Sequence, residues 1–370
     1  MTDSVRPGGL TRREFLRRAA HAGAAATAAG ALAACAKREA NEGAAAAVTR
    51  ELGPIEGELS VYNWSDYIAP DTVANFEREF GVRVTYDTYE SNEELLAKLQ
   101  SGARGYDIVV PSSYVIPAML ASNLLMPLQR GLIPNFANVE PTFIDPPWDP
   151  GNGYAVPYHW GLTGIAYRRD RARGVEASNS VWFDARWRGK MTMMDDVREV
   201  LGAMLVYRGR SANSTDPQEL AQARDDALRA KPNLRAFKSA PVKADLIAGD
   251  VWVAQLWNGD ATQAAAEQPA IAFAFPREGS QMWADAMTVL ASAPHPRAAH
   301  EFLNYVLRPE VGAAIANATG YGTANWAAAA LQQSPVRYPS QEEMAHLEYQ
   351  ADLGAHTEEW DRIWTEIKSG

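Results

Sequence analysis

The chain has 370 residues, 47% of them hydrophobic and 22% charged, and its 35 Lys and Arg against 45 Asp and Glu give a net charge of −10. That length exceeds what one core usually supports, so two domains or lobes are expected, and the composition excludes disorder and a coiled coil. An acidic field repels nucleic acid, which argues against such a partner, and attracts cations, which gives a cationic ligand weak support.

Near the N-terminus, Thr11-Arg12-Arg13-Glu14-Phe15-Leu16-Arg17 resembles the twin-arginine export motif and precedes an alanine-rich stretch, Ala19 to Ala34, too short and weakly apolar to span a membrane. Residues 1–34 therefore read as a signal peptide, and without them 30 basic residues face 43 acidic ones. The stretch ends in Leu32-Ala33-Ala34-Cys35, which resembles a bacterial lipobox, where the cysteine is acylated and becomes the new N-terminus. Cys35 is the only cysteine, so it forms no intramolecular disulfide. Lipid attachment at Cys35 is expected; cleavage near Ala34 with release into the periplasm is the alternative. Residues 35–54 have no periodicity and read as a flexible tether.

Regular patterning begins at Glu58. Leu59 and Val61 alternate as in a strand, and Pro70 to Phe80 sets Val73, Phe76 and Phe80 at helical spacing. A strand over Val82 to Tyr89 follows, then the capping box Ser91-Asn92-Glu93-Glu94 opens a helix through Leu95, Leu96 and Leu99. Tyr106 to Val110 reads as a buried strand. This βαβαβ run implies parallel strands, and open sheets of that kind bind ligands beyond the carboxyl ends of their strands. Trp64 to Tyr67 and Ser112 to Tyr114 both lie at such ends. Further on, a strand near Lys190 to Met194 runs into a helix from Asp196 to Tyr207, with more strands expected at Val251 to Trp257 and Ala270 to Phe275. Met282 to Leu290 alternates and puts Trp283, Asp285 and Met287 on one strand face, and Pro296 to Arg308 reads as an amphipathic helix. No run of 18 apolar residues exists, so no transmembrane helix is expected.

Most catalytic signatures are missing. The chain has no G-x-G-x-x-G, no phosphate loop, no H-E-x-x-H and no G-x-S-x-G, and its six histidines lack metal-ligand spacing. Neither a cofactor nor a metal is called for.

What is present is a repeated pairing of tryptophan with aspartate: Trp64-Ser65-Asp66-Tyr67, Trp257-Asn258-Gly259-Asp260 and Trp283-Ala284-Asp285. An alkyl diamine or polyamine carries ammonium charges separated by methylenes. Its site needs carboxylates along a slot with aromatic walls, where charge-assisted hydrogen bonds fix the charges and ring faces cover the stem. Candidate members are the carboxylates Asp66, Asp196, Glu199, Asp260 and Asp285 and the aromatics Trp64, Tyr67, Tyr114, Trp257, Trp283 and Tyr321. Some have plainer readings. Asp66 suits a helix cap, Asp196 and Glu199 open a helix at i and i+3 as capping residues do, and Trp283 suits a core. Asp285 is harder to dismiss, since a carboxylate inside an apolar strand must find a partner. Tyr321, between two glycines, is expected on a loop.

At these residues the chain resembles the spermidine/putrescine-binding proteins of bacterial polyamine ABC importers, from about Leu59 to the C-terminus with six motifs in the same order. The resemblance implies ligand-binding roles for Trp64, Ser65, Asp66 and Tyr67 in the first motif and for Ser112 and Tyr114 in the Val-Pro-Ser segment. It implies the same for Asp196 and Glu199, for Trp257, for Trp283 and Asp285, and for the loop residue Tyr321. Asp260 joins them, and Ser239 and Gln350 are weaker matches. Asp66 resembles putrescine-preferring members and Tyr114 spermidine-preferring ones, so the pocket is mixed. The implied fold is α/β, a two-lobed periplasmic binding protein of type II with hinge crossovers, lobe 1 being residues 55–161 and 286–328 and lobe 2 residues 162–285 and 329–370. The implied function is the extracytoplasmic substrate-binding component of an ABC importer, a monomer without enzymatic activity, which delivers putrescine or spermidine to permease subunits and meets the membrane only through an anchor at Cys35. A polyamine-sensing receptor and an exported carboxylate-pair hydrolase are the rival expectations.

Overall fold

A computed structural model describes residues 52–239, 241–333 and 339–370. Strand β1 (Glu58–Trp64) is followed by helix α1 (Thr72–Phe80), strand β2 (Arg83–Tyr89), helix α2 (Asn92–Gln100) and strand β3 (Ile108–Val109). β1 pairs in parallel with both β2 and β3, as the βαβαβ pattern implies, and stands between them in the order β2-β1-β3. The box at Ser91 is half formed. Ser91 Oγ accepts the Glu94 amide at 3.1 Å, but the Glu94 carboxylate turns to the Glu90 N–H at 3.0 Å instead of that of Ser91.

The spine of the molecule is a strand the sequence hides. β4 runs for 14 residues, Ala155–Arg168, through Pro157, Gly161 and Gly164, residues that ordinarily break strands. A register shift between Pro157 and His159 absorbs the proline. The glycines meet tight contacts, because a Cβ at position 161 would lie 2.4 Å from the Trp283 ring and one at 164 would lie 2.4 Å from Phe273. The first half of β4 pairs antiparallel with β9 (Ser280–Val289), from Ala155 opposite Thr288 to Leu162 opposite Met282. Its second half pairs with β7 (Val253–Trp257) and β8 (Ile271–Ala274).

Between these lie β5 (Met191–Met193), helix α3 (Val197–Tyr207), helix α4 (Pro217–Ala230), β6 (Leu234–Phe237) and helix α5 (Val242–Ala248); helix α6 (Asn258–Glu267) follows β7 directly. β5 pairs in parallel with β6 and β7, a second parallel unit. Past β9 come helices α7 (Pro296–Val306) and α8 (Pro309–Thr319), the short strands β10 (Gly322–Thr323) and β11 (Leu347–Tyr349), and helix α9 (Thr357–Ser369). α4, α8 and α9 extend what the sequence reading outlined. α4 carries its own start signal, since Asp216 Oδ1 accepts the Gln218 and Glu219 amides at 2.8 and 3.0 Å.

The buried apolar residues separate at the middle of β4. One core gathers Leu59, Val61, Phe76, Leu95 and Ile108 with Met287, Phe302 and Leu303. A second gathers Ile165, Trp182, Met191, Leu201, Leu205 and Val253 with Trp360, Ile363 and Ile367 of α9, and a smaller third lies around Leu246, Leu256 and Ala264. Two α/β lobes are thus joined through the antiparallel β4–β9 ribbon. Among the described residues no helix is long and apolar enough to cross a membrane.

Candidate functional site

The carboxyl ends of β1, β3 and β7 converge on the ribbon, as the strand-end rule anticipates. Ser112, three residues past β3, forms an isolated bridge with Asp285 of β9. Between the lobes lies a narrow cleft, lined by aromatic and acidic side chains from both.

Asp285 is its centre. The residue is 3% exposed, and its carboxylate accepts the Tyr67 hydroxyl and the Ser112 hydroxyl, each at 2.7 Å. Burial pushes its pKa up to about 7, and the two groups that restrain this rise are these neutral hydroxyls. Across the ribbon His159 is also buried, which lowers its pKa to about 3, so at neutral pH it supplies no counter-charge. A buried carboxylate with neutral donors and no cation is an incomplete ion pair. Asn92 organises the wall beside it, its Nδ2 donating to Ser112 Oγ at 3.1 Å and to the Tyr114 hydroxyl at 2.9 Å.

Around Asp285 runs a sequence of rings. Trp64 of the first lobe meets Trp257 of the second edge-on at 5.9 Å, Trp257 meets Trp283 at 6.2 Å, Trp283 meets Tyr321 at 5.5 Å, and Tyr321 meets Tyr67 at 5.1 Å. Trp64 is fixed by its Nε1 donating to Val110 O at 2.8 Å. Tyr321 lies on the short connection between α8 and β10, as its flanking glycines suggest, but it is packed rather than open. It is buried at 2% exposure and packed against Gly259, where a Cβ would lie 2.4 Å from its ring.

Carboxylates gather on either side. Asp196 caps α3, with Oδ1 accepting the Arg198 and Glu199 amides at 2.8 and 3.1 Å, and it also lines the cleft. The cap and the binding reading are therefore both satisfied by one residue. Glu199 does not reach back to the cap. It accepts from Trp257 Nε1 and from Gln350 Nε2, each at 3.2 Å. Burial raises Asp196, Glu199 and the nearby Glu93 of α2 above the usual carboxylate range, and the charge of Asp196 adds to the rise at Glu199 and Glu93. Arg198 sits behind them, 4.7 Å above the Tyr114 ring, with Nη2 donating to Asn213 Oδ1 at 2.6 Å. On the other side Asp260, at the first turn of α6, is raised to about 6 by burial against the attraction of Lys243.

A model of the bacterial extracellular solute-binding proteins matches residues 71–345. The chain belongs to that family. It is 33% identical over 320 residues to the spermidine/putrescine-binding periplasmic protein of Escherichia coli (strain K12), covering 84% of this chain and 92% of that one. It is 36% identical over 341 residues to that organism's putrescine-binding periplasmic protein PotF, covering 84% and 91%. A putative spermidine/putrescine ABC transporter structure from Listeria monocytogenes superposes with a TM-score of 0.81 at 32% identity, over 85% of this chain and 99% of the other. The two-lobed type II solute-binding fold follows from these likenesses and from the architecture.

Thirteen of the sequence-derived candidates line the cleft of this solute-binding protein: Trp64, Ser65, Tyr67, Ser112, Tyr114, Asp196, Glu199, Trp257, Asp260, Trp283, Asp285, Tyr321 and Gln350. Two do not. Ser239 is buried and its Oγ accepts the Asp195 amide at 3.2 Å, beneath the start of α3. Asp66 neither lines the cleft nor caps α1; its side chain is 60% exposed and pairs with Lys243 Nζ at 2.7 Å. The sequence reading misses Tyr89, Glu90 and Asn92, which also line the cleft. They follow from β2, so the strand-end rule that selected Trp64 and Ser112 would have found them. Cys35, the signal-like residues 1–34 and most of the tether at 35–54 lie outside the described residues. Among the described residues no group of three or more His, Cys, Asp or Glu could hold a metal ion.

Proposed function

We propose that the chain is the extracytoplasmic substrate-binding component of an ABC importer and captures putrescine or spermidine in the cleft between its lobes. One observation carries the reading: Asp285, buried, its carboxylate hydrogen-bonded among the described residues only to hydroxyls and ringed by aromatic side chains, awaits a cation that can be wrapped on all sides. An ammonium there completes the ion pair, Trp64, Trp257, Trp283, Tyr321 and Tyr67 cover the methylenes, and Asp196 and Glu199 take a second ammonium. Each favourable ring face adds about 0.5 to 2 kcal/mol of cation–π attraction. The relatives named above as spermidine- or putrescine-binding proteins support the same ligand class.

The hinge division in this reading places residues 55–161 and 286–328 in lobe 1 and 162–285 and 329–370 in lobe 2, with the cleft at the crossovers. Closure without ligand crowds at least four carboxylates into low dielectric, so a bound cation stabilises the closed form that the permease recognises. Export by the twin-arginine route, a lipid anchor at Cys35 and a monomeric state complete the proposal. Titration calorimetry with putrescine, spermidine and cadaverine tests it. Affinity of micromolar or better, about −8 kcal/mol, is expected for at least one amine, and absence of heat with all three sinks the reading.

A further inference from the structure

Lys243, which the polyamine reading leaves without a role, lies on α5 in the second lobe. Its Nζ is 2.7 Å from Asp66 Oδ2 of the first lobe, 2.7 Å from Gln263 Oε1 and 3.9 Å from Asp260 Oδ1 of the cleft wall. The lysine side chain is only 13% exposed. Its surroundings are organised from three directions. Gln263 is oriented by its Nε2 donating to Thr319 O at 2.7 Å, Asp66 reaches the same point through a left-handed backbone turn (φ 53°) just past β1, and Asp260 is fixed in the first turn of α6. A lysine side chain is a butylammonium, chemically one end of an alkyl diamine tethered to the protein.

We propose that Lys243 is a specificity-determining residue: held from outside the cleft by Asp66, its ammonium occupies the Asp260 end of the slot and confines a free amine to the Asp285 and Asp196/Glu199 end. The assignment rests on the polyamine reading of the same cleft. A diamine satisfies Asp285 and the Asp196/Glu199 group without contesting Lys243. A triamine brings a third ammonium, and at Asp260 it meets a like charge already in place; a repulsive element of this kind discriminates between ligands that share every attractive contact. The sequence reading assigns Asp66 and Asp260 to the ligand, whereas here they hold an internal cation.

Affinities of the full chain for putrescine and spermidine, measured side by side for the native protein and for Lys243→Met, test the assignment. Loss of the tethered cation should lower the ratio of the spermidine Kd to the putrescine Kd by about tenfold, one good contact's worth of discrimination. Lys243→Arg, which returns the cation, should bring the ratio back. The double variant Lys243→Met/Asp66→Asn removes the exposed unpaired carboxylate as well, carries the test if the single variant folds poorly, and should shift the ratio in the same direction. An unchanged ratio in folded variants overturns the assignment, as does an equal weakening of both amines, which is what a simple clasp between lobes would give. A native protein that takes up neither amine removes the polyamine reading and this role together, while one that binds amines with a ratio indifferent to Lys243 removes only this role.

Discussion

Lowering the pH should weaken amine binding, and the share carried by Asp285 can be worked out. In the empty cleft its pKa is pushed up to about 7 by burial. An ammonium at its side restores the charged form, so the bound state holds fewer protons than the empty one and affinity must rise with pH. If pairing returns the carboxyl to its usual range, moving from about pH 8 to about pH 5 lowers the affinity by at least about a hundredfold, or about 3 kcal/mol, through Asp285 alone, because two pH units separate the lower value from the empty-site pKa; the raised Glu199 and Asp196 add to the loss. The amines themselves stay protonated throughout that window, so the change belongs to the protein. Near pH 7 about half a proton should leave Asp285 on binding. Calorimetry across this range in two buffers of different ionisation enthalpy measures both quantities. A flat affinity with no proton release would refute the argument that Asp285 waits in a desolvated, uncompensated state. The same shift predicts the stability of the empty protein. A folded-state pKa above the unfolded one favours folding below the unfolded value, near pH 4, and that contribution is lost as pH rises through about 7. Thermal stabilisation by amine should therefore be greater at about pH 8 than at about pH 5.

Asp285→Ala should lose about 2 to 5 kcal/mol of amine affinity, since it leaves an ammonium buried without its partner, while the empty protein stays folded; native-like affinity would remove Asp285 from the site. Gly259→Ala places a Cβ 2.4 Å from the Tyr321 ring and must push that wall into the slot, an overpacking worth about 1 to 3 kcal/mol. Equilibrium titration should show weakened amine binding with the far-ultraviolet circular dichroism unchanged, and unaltered affinity would mean that Tyr321 is not a wall. Cys35→Ser should move the protein from the membrane pellet to the soluble fraction of fractionated cells, and equal partition of the two forms would exclude acylation.

Much of the site is legible because it obeys local rules. A tryptophan and an aspartate at the end of a predicted parallel strand, or an aspartate within an apolar alternating strand, announce themselves through period and position, and Trp64, Ser112, Trp257 and Asp285 were selected in that way. Asp196 shows how a local rule conceals a second role: its side chain caps α3 as the pattern says and lines the cleft as well. β4 is illegible for the opposite reason. Its glycines fit because Trp283 and Phe273 press on the strand from distant parts of the chain, and no window around residue 160 contains that information.

Two α/β units, the aromatic and acidic character of the cleft, and most of its lining are legible in the chain, since periodicity, caps and strand ends are short-range properties. How the charges divide is settled by long-range contacts alone. Asp66 and Asp285 look alike in the chain, each within two residues of a tryptophan. Folding leaves Asp66 largely in water beside Lys243, a residue 177 positions away, and buries Asp285 between two hydroxyls with no cation. Burial and long-range pairing set the worth of a charge, and both are fixed only when the lobes meet.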